Sequence, residues 1–134
     1  MFSWLFKKKA PPIRSLVGEG MVVHGNLSFV DGLRIDGEVH GDVVAQAGAR
    51  SLLVISENAR VHGKVKAAHV IINGELVGPV VSDELLELQP KARVRGDLRY
   101  ELLEMHPGAQ VEGDLKPLKA AERPALKLAA SNDA

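Results

Sequence analysis

The chain has 134 residues, 46% of them apolar, with no cysteine and a formal net charge of zero. That length is a prior for one domain, and the missing thiols exclude disulfides and thiolate metal sites. The charge is unevenly placed: residues 1–15 carry +4, residues 16–116 carry −5 and residues 117–134 carry +1. No broad basic surface results, so nucleic acid is not an expected partner.

Residues 1–15 are read as a disordered tail that opens with a membrane-targeting peptide over residues 1–9. Three of the chain's five aromatic residues, Phe2, Trp4 and Phe6, fall here. Together with Met1 and Leu5 they lead directly into Lys7, Lys8 and Lys9. Large apolar rings favour the membrane interface, and each lysine near an anionic surface contributes about 1 kcal/mol. The apolar run is far shorter than the roughly 20 residues needed to span a bilayer. Its charge follows the apolar stretch instead of preceding it, which is unlike a secretory signal. The competing reading has Phe2, Trp4 and Phe6 packing onto the fold as a cap. Ala10-Pro11-Pro12 then forms a stiff, extended spacer.

All thirteen glycines lie between Gly18 and Gly113, and they delimit the structured body, read as residues 16–116. Self-similarity is strongest near its end. The fifteen residues from Glu84 to Leu98 match those from Glu101 to Leu115 at ten positions, an offset of 17 without a gap. Ala59-Arg60-Val61-His62-Gly63-Lys64-Val65 is an earlier copy. Weaker apolar-x-Gly-x-apolar units occur at Val23–Leu27, Ile35–Val39, Val39–Val43 and Ile72–Leu76. The body therefore divides into about six units of about 17 residues.

Within a unit the pattern alternates: Ala59, Val61 and Val65 share one parity, and Arg60, His62, Lys64 and Lys66 the other. A period of two marks a strand with one buried face. Three short strands fill about 17 residues, which predicts an all-β, single-domain triangular parallel β-helix with glycines at its corners. The helical alternative at Glu84–Leu88 is interrupted by Pro90 and by the Val-x-Gly-x-Leu that follows. Residues 117–134 contain no glycine and few large apolar side chains. They are read as a disordered C-terminal tail, with at most transient helix around Ala125–Ala130.

Gly18-Glu19-Gly20-Met21-Val22-Val23-His24-Gly25-Asn26-Leu27 resembles the opening coil of the bactofilins, bacterial cytoskeletal proteins. Leu33-Arg34-Ile35-Asp36-Gly37-Glu38-Val39-His40-Gly41-Asp42-Val43 is similar to their most recognisable segment. Val70–Gly78 and Ala92–Leu98 continue the likeness. The resemblance implies a right-handed β-helix and nucleotide-independent, non-polar filaments that scaffold cell-shape or cell-wall functions. It also implies a cytoplasmic protein at the inner face of the membrane, with cell-wall (peptidoglycan) enzymes as candidate partners. One departure is at Val111, where the family often places a large aromatic residue.

Physics leads to self-assembly independently. Each end of a β-helix exposes unpaired backbone groups and an open apolar interior unless a cap covers it. No convincing cap is legible, although tails folded over the ends are the alternative. Burying ~400 Å² of apolar surface per junction would contribute about 10 kcal/mol gross, less the association cost. The expected polymerisation interface comprises Val17, Met21 and Val23 at one end. At the other it comprises Leu102, Leu103, Met105, Val111 and Leu115.

Signals that look chemical are read as structural. His24, His40 and His62 each precede a glycine, but Arg95 and Glu112 hold the equivalent places later. A row of ligands would not change to a cation. Asp42, Asp97 and Asp114 lack a nearby base, and no phosphate-cradling loop is present. No catalytic residue, metal or cofactor is therefore expected. The alternative is a hexapeptide-repeat acyltransferase on a left-handed β-helix, suggested by Ile55–Lys66. The 17-residue offset and the lack of a long His-bearing loop weigh against it.

Overall fold

A computed structural model describes residues 11–48 and 50–118. Among them the regular structure is all β, in six coils of three sides each. The first coil contains β1 (Ile13–Val17), β2 (Val22–His24) and β3 (Leu27–Phe29). The second contains β4 (Asp31–Ile35), β5 (Glu38–His40) and β6 (Val43–Ala45), and the third begins with β7 (Ser51–Ile55) and β8 (Arg60–His62). From there β9 (Val65–Ile72), β11 (Val80–Leu88) and β13 (Leu98–Met105) each run through a corner. Each closes one coil and opens the next. Between them stand β10 (Glu75–Val77) and β12 (Arg93–Arg95), and β14 (Gln110–Glu112) and β15 (Leu115–Pro117) finish the sixth coil. The first strand starts at Ile13, three residues before the expected limit, because Ile13 still pairs with Gly32 of the second coil.

All strand pairing is parallel. One side is the sheet β2-β5-β8-β10-β12-β14, and a nine-stranded sheet wraps the other two sides. In the six-stranded sheet, the register partners Val23, Val39, Val61, Leu76, Val94 and Val111 lie 16, 22, 15, 18 and 17 residues apart. The 17-residue spacing is thus a property of the last coils, and earlier coils differ. The stacked strands must stay in register to bury one face, so the corners absorb the variation. The longest corner, residues 46–50, lies between β6 and β7.

The core is a set of vertical columns. Ile35, Ile55, Ile72 and Leu88 form one, Val39, Val61 and Leu76 a second, and Val43, Val65, Val80 and Leu98 a third. All of these are fully enclosed. Each such side chain contributes about 1.5–3 kcal/mol through burial. Because branched aliphatic residues fill these three columns, the coils they line have nearly the same girth. Coil can therefore stack on coil at the normal interstrand spacing.

The residues after the corner glycines serve the backbone. The Asn26 side-chain oxygen accepts the Asp42 N–H at 2.9 Å, Asp42 accepts the Lys64 N–H at 3.0 Å, and Asp97 accepts the Asp114 N–H at 3.1 Å. These side-chain oxygens tie one coil to the next at the turns, beside the backbone bonds of Leu27, Val43 and Leu98 to Asp42, Lys64 and Asp114.

Candidate functional site

The unusual chemistry of this fold lies at its two ends. Following each column outward shows the change. Met105 continues the column of Ile72 and Leu88 but is 45% exposed, and Leu115 continues that of Val80 and Leu98 but is 41% exposed. Val111 follows Val94 and is only half-buried, and Leu103 follows Leu86 in the same way. Leu102 lies beyond the buried Leu85 and is exposed. Among the described residues, no seventh coil covers the sixth.

The first coil shows the same loss in part. Met21 is 49% exposed, and Val23 is half-buried although its register partner Val39 is sealed. Val17 differs: it is enclosed with the core, and its carbonyl accepts the N–H groups of Asp36 and Gly37. Its place is therefore beneath the end face. Leu27 belongs to this face as well, half-buried ahead of the sealed Val43. The signal for it is its membership in the Val23–Leu27 unit of the first coil.

Backbone pairing stops at the same places. Among the described residues, strands β1 and β2 each pair with one neighbour, β4 and β5, and β14 and β15 pair only with β12 and β13. Open strand edges next to exposed aliphatic residues form a template for further strands. Met1, Phe2, Trp4, Leu5, Phe6, Lys7, Lys8 and Lys9 lie outside the described residues, as does the C-terminal tail beyond Leu118. Among the described residues, no helix is long and apolar enough to cross a membrane.

The histidine row is an outer-face feature. The His24 and His40 rings stack with centroids 5.1 Å apart, and His62 meets His40 edge-on at 5.3 Å. His40 Nε2 lies 2.7 Å from Glu38, and His62 Nε2 lies 3.1 Å from Glu75. These hydrogen bonds hold both carboxyls below their ordinary range. The column continues through Val77, Arg95 and Glu112, so it is not a ladder of ligands.

A stack of parallel coils with aliphatic columns, whose end strands lack an outer neighbour among the described residues, defines a class: a parallel β-solenoid. The family model for the bactofilins, described as polymer-forming cytoskeletal, matches residues 15–116. The chain belongs to the bactofilin family. No curated protein and no solved structure matches it.

Proposed function

We propose that this bactofilin assembles end to end into nucleotide-independent filaments that lie on the inner face of the cytoplasmic membrane. There they act as a scaffold for cell-shape or cell-wall functions. One observation carries the assembly reading: columns sealed in the middle of the solenoid are open at Met105, Val111 and Leu115 and at Val23. Stacking a second subunit would return these side chains to the environment that Leu88, Val94 and Leu98 already have. It would also supply the missing neighbour of each end strand.

The membrane reading rests on composition. Phe2, Trp4, Leu5 and Phe6 supply interfacial apolar surface, and Lys7–Lys9 supply attraction to anionic headgroups. A single copy binds weakly. A filament carrying many copies on Pro-Pro spacers binds through avidity, so attachment and assembly reinforce each other. Peptidoglycan enzymes are proposed clients only through the family.

The polymer is read as structural and not catalytic. The acyltransferase alternative is disfavoured, since of the coil spacings of 16, 22, 15, 18 and 17 residues only one is a multiple of six. Negative-stain microscopy of the purified full chain without nucleotide tests the proposal. Unbranched filaments support it, and discrete particles at every concentration and salt reject it.

A further inference from the structure

Glu87 and Glu104 are register partners on β11 and β13, so their carboxylates lie one above the other on the outer face of the fifth and sixth coils. Parallel pairing brings such side chains about 5 Å apart. Glu87 is only 5% exposed. His106 follows β13, held where its N–H donates to the Leu88 carbonyl. Its Nε2 lies 3.3 Å from Glu87 Oε2 and 3.9 Å from Glu104 Oε1. One ligand atom from each of the three residues falls within 4.8 Å of the others.

The charges of this cluster do not balance. Among the described residues, no lysine or arginine pairs with either carboxylate. A protonated His106 would cancel only half of the two negative charges. Glu104 Oε2 is buried and has no hydrogen-bond partner among the described residues. A buried carboxylate oxygen without a partner is costly, and like charges set one above the other repel. A divalent cation would neutralise both while taking the neutral imidazole as its third ligand.

We propose that Glu87, Glu104 and His106 form a binding site for a divalent first-row transition cation. One nitrogen and two carboxylate oxygens suit Zn²⁺ or Mn²⁺ better than Mg²⁺, which prefers oxygen ligands and retains its water. The Gln89 side-chain amide donates to Glu87 Oε2 at 3.3 Å and so orients that carboxylate. A cation here fastens the sixth coil to the fifth and so stiffens the C-terminal end face. The site does not depend on the filament reading, because the cation binds within one subunit.

The test titrates the full chain with Zn²⁺, with Mg²⁺ as the comparison, following heat of binding and thermal unfolding. The expected result is one-to-one Zn²⁺ binding and, at saturating ion, a rise of roughly 5–10 °C in the unfolding midpoint. Glu104→Gln and His106→Ala should each weaken binding at least about tenfold. His40→Ala, which alters the other histidine cluster, should leave binding intact. Should His106→Ala fail to fold, Glu104→Gln decides alone. Three outcomes overturn the site: no saturable uptake of Zn²⁺, uptake that Glu104→Gln leaves unchanged, or uptake that His40→Ala abolishes.

Discussion

The backbone of Gly63 lies directly against the carbonyl oxygen of Gly41 in the coil before it, so closely that a β-carbon on Gly63 would overlap that oxygen. The contact recurs along one corner: Gly41 meets Gly25, Gly78 meets Gly63, Gly96 meets Gly78 and Gly113 meets Gly96. Each open direction points toward the N-terminal end. Gly25, in the first coil, meets nothing within 4 Å. Its free side is part of the N-terminal end face.

Gly63→Ala and Gly25→Ala should therefore differ in kind. The first forces a methyl group into a backbone contact inside the subunit and should cost about 2–4 kcal/mol, measured by denaturant unfolding. The second meets only backbone strain within its own subunit, about 1 kcal/mol. It should fold yet assemble poorly, because its methyl group stands where a neighbouring coil must approach. Sedimentation assays on both variants check this. A Gly25→Ala protein that polymerises like the parent would show that nothing abuts this face.

Val111→Arg should produce monomers or short oligomers with the subunit fold retained. Val111 is half-buried at the end of the Val94 column, and a guanidinium group there must be desolvated at the junction without a partner. Circular dichroism reports the fold, and electron microscopy reports filament length. Long filaments from this variant would remove the C-terminal face from the assembly model.

Removing residues 2–9 should release the protein from anionic liposomes while leaving polymerisation intact. The two properties lie in separate parts of the chain. Liposome co-sedimentation of the truncated and full-length proteins measures the difference, and undiminished co-sedimentation rejects the anchor.

His69 should make the fold sensitive to mild acid. It occupies a buried position between Leu52 and Leu85 in one column. Burial pushes its pKa below the usual histidine value, against the opposing pull of Glu87 and Glu84. The unfolded chain then takes up a proton first. Stability is fully present above about pH 6.5 and falls as the pH drops toward the lowered native value. His69→Leu, matching its column neighbours, should lack this component. Unfolding free energies of parent and variant compared between about pH 7 and pH 5 check the slope.

Much of the fold was legible because it is written locally. The alternation Ala59, Val61, Val65 against Arg60, His62, Lys64 marks strands, and the Glu84–Leu98 and Glu101–Leu115 copies mark the coil. The uneven coil lengths were not legible, since corner residues 46–50 obey no pattern that hydrophobic periodicity detects. The end faces were partly legible. Met105, Val111 and Leu115 follow from being last in their columns, whereas the enclosure of Val17 depends on how the second coil covers it. The Glu87–Glu104–His106 cluster was present in the repeat, because an offset of 17 stacks Glu87 on Glu104. Its burial required the three-dimensional packing.

The central claim is that subunits continue one another's sheets along the solenoid axis. Cryo-electron microscopy of the full chain, prepared without nucleotide, measures this directly through the direction of the interstrand repeat. The account predicts unbranched filaments with a spacing of about 4.8 Å along the filament axis and a subunit length of roughly 29 Å for six coils. Filaments in which that spacing runs across the axis, or a preparation that contains only monomers, would contradict it.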